Sequence, residues 1–295
     1  MATSLQLSAA LSDNVFNAPL IEGRVAPQGA QLAVSVLHGS EMFWRQLKFA
    51  EFDVSEMSIS SLLIATARGD RTWVALPVFT MRRFFHTGIL VRADAGIERP
   101  QDLVRKRVGV PEYQQTSAIW SRGVLKDQFG VTPEQIEWFM ERGADRSHGE
   151  LTGFRAPDGV RINQIPPTSD IGSMLLSGEL DATLLYLNDK NIVDRSRADL
   201  DDEVRIRRLF PDPVAEGRRY HSDTGLLPMN HLIVLRRSLA ERHPWLVLNL
   251  FEAFGAAKAL VRQAARADRA MHLDAGVITP DTARALDRDM MEYGF

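Results

Sequence analysis

Short apolar runs alternate with stretches in which apolar residues recur every three or four positions, the pattern of a largely parallel sheet covered by helices. Leu5–Leu11 and Gln31–Leu37 read as the first two strands, separated by the turn-rich Ala26–Gly29. Ser40 is placed to cap a helix that sets Phe43 and Leu47 on one face. Phe52–Met57 predicts a third strand with Ser58, Ser60 and Ser61 clustered at its carboxyl end. Trp73–Leu76 and Gly88–Val91 predict two more, on either side of Thr80-Met-Arg-Arg-Phe-Phe-His86.

A second unit starts near residue 93. Asp102-Leu-Val-Arg-Lys-Arg-Val-Gly-Val110 is a polar turn running into a strand, and Pro111-Glu-Tyr-Gln-Gln115 is the loop after it. Thr116 is expected to cap a helix with Ile119, Val124, Leu125 and Phe129 inward, ended by Gly130 as a C-cap. Arg142–Pro167, rich in Gly, Pro and charge, reads as loop with one short strand at Val160–Ile165. Ser169 opens a helix that Gly178 ends, before strands at Asp181–Tyr186 and Val204–Leu209. His231–Leu235 reads as a last strand. Pro244 starts a helix striped by Val247, Leu250, Phe251, Phe254 and Val261, and Thr279-Pro280 starts another lined by Ala283, Leu286 and Met290. The expected layout is one lobe from residues 1–92 and 211–295, and a second from residues 93–210.

Composition narrows the function. The 295 residues carry a formal net charge of −3, which argues against a general nucleic-acid binder. With no cysteine, thiolate nucleophiles, disulfides and cysteine-ligated metals are excluded. The opening MATSLQLSAALSDNVFNAPL has no Lys or Arg, and polar residues break each apolar run, so no export signal is read and a cytoplasmic location is expected. No apolar stretch approaches the ~18 residues of a membrane span.

Two segments, Asp102–Val110 and Ser177-Gly-Glu-Leu-Asp-Ala182, resemble the second lobe of type II periplasmic binding proteins. That resemblance implies an α/β fold of two lobes joined by hinge strands with a ligand cleft between them, a scaffold that serves receptors, regulators and enzymes alike. Four further motifs are more specific: Phe49-Ala-Glu-Phe-Asp-Val-Ser-Glu-Met-Ser-Ile-Ser-Ser61, Pro77-Val-Phe-x3-Arg-Phe-Phe-His86, Val108-Gly-Val-Pro-Glu-Tyr-Gln-x-Thr116 and Gly225-x2-Pro-Met-x-His231. Together they resemble the 4,5-dihydroxyphthalate decarboxylases, over nearly the whole chain. The resemblance implies non-oxidative loss of one carboxylate from a dihydroxylated aromatic diacid, 4,5-dihydroxyphthalate to protocatechuate or a close analogue.

Such chemistry must orient a dianion, bring an acid to a ring carbon and let a phenol release electron density. Adjacent arginines are ordinarily solvated surface charge; the motif makes Arg83, with Arg82 beside it, the expected carboxylate anchor. Ser58, Ser60 and Ser61 at a helix start are expected to touch substrate as well as cap. His86 and His231, inside the motifs, are the expected acid–base residues, with Glu112 as proton donor or as a partner holding a histidine. Tyr113 is expected to stack on the ring or to pack in the core, and Gln114 and Thr116 to close over the ligand. His38 and His221 rank second; His148, His243 and His272 read as bystanders. No electron-sink cofactor is expected, and a divalent metal held by distant residues such as His86, His231 and Glu112 stays open. The expected partner is a small anionic aromatic substrate, with no nucleic acid, no membrane, and homo-oligomerisation left open. The rival reading is a solute-binding protein for a small carboxylate or aromatic acid feeding a transporter.

Overall fold

The computed structural model describes residues 4–286. Among the described residues, eleven strands form two sheets. The first is built from β1 (Leu5–Leu11), β2 (Ala30–Val36), β3 (Val54–Ser58), β4 (Trp73–Arg82) and β11 (Met229–Arg236), in the order β2-β1-β3-β11-β4. The second holds β5 (Leu90–Arg92), β6 (Arg107–Val110), β7 (Glu137–Met140), β8 (Ile162–Gln164), β9 (Ala182–Thr183) and β10 (Ile206–Arg208), in the order β10-β5-β9-β6-β7-β8. β1, β2 and β3 are parallel, and β11 runs antiparallel between β3 and β4. In the second sheet β6, β7, β8 and β9 are parallel, β5 runs antiparallel beside β9, and β10 pairs antiparallel with β5. The chain therefore crosses between sheets twice, after β4 and before β11.

Ten α-helices among the described residues cover the sheets: α1 (Ala18–Ile21), α2 (Gly39–Phe49), α3 (Ile59–Ala67), α4 (Thr116–Phe129), α5 (His148–Thr152), α6 (Ile171–Ser177), α7 (Pro213–Thr224), α8 (Arg237–Arg242), α9 (Trp245–Asp274) and α10 (Pro280–Ala285). One face of the first sheet packs on α9 through Leu246, Leu250 and Phe254; the other packs on α2 and α3 through Met42, Phe43 and Leu62. The second sheet buries Val108, Val110, Trp138 and Leu184 on one core and Ile171, Leu175 and Leu180 on another. Gly109 is needed at that second interface: a Cβ there would lie 2.9 Å from Leu180 Cδ1 and 3.3 Å from Ile171.

Several local readings change. β4 runs on to Arg82, so Thr80, Met81 and Arg82 belong to a strand rather than a loop, because β11 pairs with them across an irregular register. β7 and α5 lie within or beside the stretch read as loop, and α7 precedes β11; each is short or polar enough to leave a weak periodic signal. Ser40 does not cap α2; the His38 ring accepts from Ser40 N–H instead. α6 is capped by Asp170, paired reciprocally with Ser173, and not by Ser169. Gly130 and Gly178 take the left-handed conformation expected of C-caps. Ile119 is 42% exposed and Leu286 62% exposed, both on outward faces rather than inward ones. Met290 lies outside the described residues.

Candidate active site

Parallel strands end on one side of each sheet, and there the chain must turn, leaving side chains and amides free to meet a ligand. In the first lobe Ser12 follows β1, His38 follows β2, Ser58 ends β3 and Arg83 follows β4; antiparallel β11 begins at the same edge with Asn230 and His231. In the second lobe Gln115–Ser117 follow β6, Arg142 follows β7, and Leu185 and Leu187 follow β9. These residues line one cavity of about 540 Å³ between the lobes, a size suited to a small-molecule ligand.

His231 is held most firmly. It sits in a bulged part of β11, where register shifts on both sides re-aim the side chain. Its Nδ1 lies 3.2 Å from Glu56 Oε2, and Phe43 stands edge-on to the ring at 4.7 Å between centroids. Gly39 makes room for it: a Cβ there would come within 3.3 Å of His231 Cε1. Glu56 is fully buried on β3 and accepts four other hydrogen bonds: Ser12 N–H at 2.9 Å, Ser12 Oγ at 2.6 Å, Asn17 Nδ2 at 2.7 Å and Thr80 Oγ1 at 2.8 Å. Burial alone would push this carboxyl up. The bonds from His231 and Ser12 win and hold it at about 2, so it is ionised. The carboxylate therefore accepts from Nδ1–H, and Nε2 on the cavity side makes no hydrogen bond with a described residue.

Arg142 is almost wholly buried. Its Nε and Nη2 bind Asp194 at 2.8 and 2.7 Å, Nη2 also donates to Ser40 Oγ at 2.6 Å, and Nη1 lies 3.4 Å from His148 Nδ1. Asp194 is held below the ordinary carboxylate range because Arg142 and Ser40 outweigh its desolvation. His148 Nε2 lies 2.9 Å from the Ser40 carbonyl oxygen, so Nε2 carries the proton and Nδ1 faces the guanidinium. Burial first, and Arg142 second, drop the His148 pKa to about 3, which keeps the ring neutral. The Arg142 charge is thus largely compensated by Asp194. Arg83 is different: it is exposed, lines the cavity, and its guanidinium makes no ion pair or hydrogen bond with a described residue.

α4 begins at the cavity without a side-chain cap. Its first intrahelical bond is from Ile119 N–H to the Gln115 carbonyl, so the amides of Thr116, Ser117 and Ala118 precede it and carry the positive end of the helix dipole. Gln115 Oε1 is a buried acceptor with no hydrogen-bond partner at the same wall, while its Nε2 donates to Ser117 Oγ at 2.9 Å.

Among curated proteins, 4,5-dihydroxyphthalate decarboxylase of Comamonas testosteroni is 32% identical over 296 residues, 99% of this chain and 88% of its own length. The chain belongs to the 4,5-dihydroxyphthalate decarboxylase family. The enzyme of that name from Pseudomonas putida is 37% identical over 180 residues, 61% of this chain and 70% of its own length. No protein-family model matches the chain. Among solved structures, the alkanesulfonate-binding protein SsuA of Xanthomonas axonopodis pv. citri superposes with a TM-score of 0.52 over 97% of this chain and 84% of its own, at 14% identity. The periplasmic aliphatic sulphonate binding protein SsuA of Escherichia coli gives 0.50 over 96% and 82%, also at 14% identity. This 4,5-dihydroxyphthalate decarboxylase relative thus has the type II periplasmic-binding-protein fold its sequence resembles.

The residues singled out by the family motifs divide sharply. His231, Arg83, Ser58 and Thr116 line the cavity. His86 does not: on the turn after β4 its ring goes inward, with Nε2 3.1 Å from Glu216 Oε1, between Phe210 and Tyr220. Arg82, one residue before Arg83, turns back over the Phe79 ring at 5.1 Å. Glu112 lies behind the cavity wall, accepting from Ser147 Oγ at 2.9 Å and the His148 and Gly149 amides at 3.0 and 3.3 Å. Burial pushes its pKa up more than Arg142 and these donors pull it down. It anchors the start of α5 instead of facing a ring carbon. Tyr113 packs in the core against Trp138 and under Arg122, 3.7 Å from its centroid, so it has no face left for substrate.

Ser60, Ser61, Gln114 and Thr116 bond mainly to one another across the cleft. Thr116 Oγ1 meets Ser58 Oγ at 2.9 Å, Ser60 Oγ at 3.0 Å and Ser60 N–H at 3.0 Å; Gln114 Nε2 reaches Ser61 Oγ at 3.2 Å. They latch lobe to lobe, and Thr116 serves that latch rather than a cap. His148, read as a bystander, lines the cavity, as does His38; His221 bonds the Leu226 carbonyl outside it. His86, His231 and Glu112 are not gathered, and among the described residues no three His, Asp or Glu side chains converge as metal ligands. The sequence reading missed Glu56, Gln115 and Arg142. A carboxylate between Val54 and Met57 in the expected strand Phe52–Met57 was the available signal for Glu56.

Proposed function

We propose that the chain is a carboxy-lyase that removes one carboxylate of 4,5-dihydroxyphthalate, or of a close dihydroxylated aromatic diacid, to give protocatechuate or its analogue. Membership of the family supports the reaction, and the observation that carries the reading onto this cavity is His231 with Nε2 unbonded toward it. Arg83 and the α4 amides supply positive potential for the two carboxylates, and Gln115 Oε1 supplies an acceptor for a ring hydroxyl.

In this scheme His231 Nε2–H gives its proton to the ring carbon bearing the departing carboxylate. The para hydroxyl feeds electron density into the ring, and a C–H bond forms. The C–C bond to the carboxylate then breaks, its electron pair restores the aromatic ring, and CO₂ leaves. His231 regains its proton from water, so one proton is consumed per CO₂ released. Closing the lobes keeps water from the charged groups during these steps.

The test is product detection by mass spectrometry after incubation with 4,5-dihydroxyphthalate, with and without chelator, for wild type and His231→Gln. Turnover in wild type that drops by at least ~10²-fold in the variant supports the scheme. Tight binding of the diacid with no product would point instead to a solute-binding role, and unchanged turnover in His231→Gln would remove this histidine as the acid.

A further inference from the structure

We infer that Glu56 is a positioning residue that fixes the proton of His231 on Nδ1, so that Nε2 is the only nitrogen exchanging protons with substrate. The inference rests on the proposed decarboxylase reading for its kinetic consequence, though its structural core does not depend on turnover.

Five donors converge on one fully buried carboxylate, three at Oε1 and two at Oε2. That number satisfies an ion and over-supplies a neutral acid, whose own O–H would face a donor. The support is rigid. Ser12 follows β1, Asn17 precedes α1, Thr80 is on β4 and His231 on β11, so four separate elements define the carboxylate position from every side. Neighbouring charged or titratable side chains at the cavity wall are Asp13, His38, Arg83, Arg142, His148 and Asp189, and none of them bonds the His231 ring. Tautomer control therefore falls to Glu56 alone among the described residues. When Nε2–H gives up its proton, the neutral ring left behind is already the Nδ1–H form, and no side chain has to turn.

The arrangement makes an unusual demand on a neutral substitute. In Glu56→Gln the oxygen must stay on the Oε1 side, because Ser12 N–H is a backbone donor that cannot rotate away. The amide NH₂ then occupies the Oε2 side and faces Thr80 and His231. Thr80 can rotate its hydroxyl to accept; His231 can accept only by moving its proton to Nε2. The substitution is expected to switch the tautomer and to lower kcat by up to about 10⁴-fold, the loss seen when a carboxylate that orients a catalytic histidine becomes an amide.

The experiment is two-bond ¹H–¹⁵N spectroscopy of histidine-labelled protein, with the His231 signals assigned by their loss in His231→Gln, alongside kcat and KM on 4,5-dihydroxyphthalate. Wild type is expected to show neutral His231 as the Nδ1–H form and Glu56→Gln as the Nε2–H form, with kcat falling and KM little changed. Thr80→Val, which removes a different donor from the same oxygen, separates tautomer control from loss of a donor: it should keep the Nδ1–H form, because the carboxylate still accepts from the ring. An Nε2–H tautomer in wild type overturns the inference even if Glu56→Gln does not fold. So does a Glu56→Gln protein that keeps the Nδ1–H form and wild-type kcat. A chain that shows the tautomer switch and decarboxylates nothing would retain the positioning role and lose the proposed reaction.

Discussion

At Arg83 and His86, three residues apart in one motif, the same turn produces opposite fates. Arg83 leaves the end of β4 exposed toward the cavity with its guanidinium uncompensated by described residues. A charge-assisted bond to a substrate carboxylate is worth about 1.5–3 kcal/mol, so Arg83→Gln should lower kcat/KM by roughly 10- to 100-fold and leave the melting temperature unchanged. Steady-state kinetics and a thermal scan check both halves. His86 is 1% exposed, is bonded to Glu216, and has its pKa lowered mainly by burial. His86→Ala should therefore cost about 2–3 kcal/mol in denaturant unfolding through lost packing against Phe210 and Tyr220, with Glu216 still held by Arg219, while kcat of the folded variant stays near wild type. A kcat loss without a stability loss would return His86 to the chemistry. Gln115 adds a specificity test at this scale. With its buried Oε1 unpaired, Gln115→Leu should raise KM for the dihydroxylated diacid more than for a diacid lacking the hydroxyls, measured as inhibition constants for the latter.

Loops and helix starts explain both what the sequence revealed and what it hid. Strands β1, β2 and β11 were readable because apolar residues predominate in each, and α9 because its apolar stripe recurs at helical spacing from Leu246 to Ala257. β7 was not, since Glu137-Trp-Phe-Met140 is four residues long and sits between polar segments; with it went the recognition that Arg142 stands at a strand's carboxyl end. The loop Pro111–Thr116 reaches the cavity, yet of the side chains chosen from it only Thr116 lines the wall. Glu112 and Tyr113 turn into the second lobe and Gln114 into the latch, leaving Gln115 at the cavity. Periodicity cannot assign directions in a segment with no repeat. The latch itself makes a prediction. Thr116→Val keeps shape but strips the acceptor from Ser60 N–H, a buried donor whose penalty of about 1–3 kcal/mol exists only when the lobes are shut, because water satisfies it when they open. The closed-to-open ratio should fall about 5- to 150-fold, read as a larger radius of gyration in solution scattering and a lower kcat/KM, while Thr116→Ser retains both.

Across the whole molecule, the lobes meet through groups whose protonation matters. His148 bridges to Ser40 of the first lobe and stays neutral in the closed form, its pKa pushed down to about 3 by burial and by Arg142. An unfolded chain would bind a proton at such a histidine below about pH 6.5. Between those values the unfolded state therefore holds more protons than the folded one, and stability must decrease as pH falls. The contribution is absent above pH ~6.5 and reaches about 2 kcal/mol of destabilisation at pH 5. His38 and His86, also lowered by burial, act in the same direction. Glu56, held at about 2, adds a loss only below the ordinary glutamate range, as its five hydrogen bonds begin to lose their ionised partner. Glu112 works the other way, since a carboxyl with a raised pKa is relieved by acid. Comparing His148→Gln with wild type isolates the histidine, because the glutamine amide can still donate to the Ser40 carbonyl without titrating. Urea unfolding at pH 7, 6 and 5 should show wild type losing stability more steeply than His148→Gln, the two curves separating by about 2 kcal/mol at pH 5 and converging at pH 7. Parallel curves would mean that His148 is protonated in the closed molecule, and that the Arg142–Asp194–Ser40 cluster tolerates a second positive charge beside it.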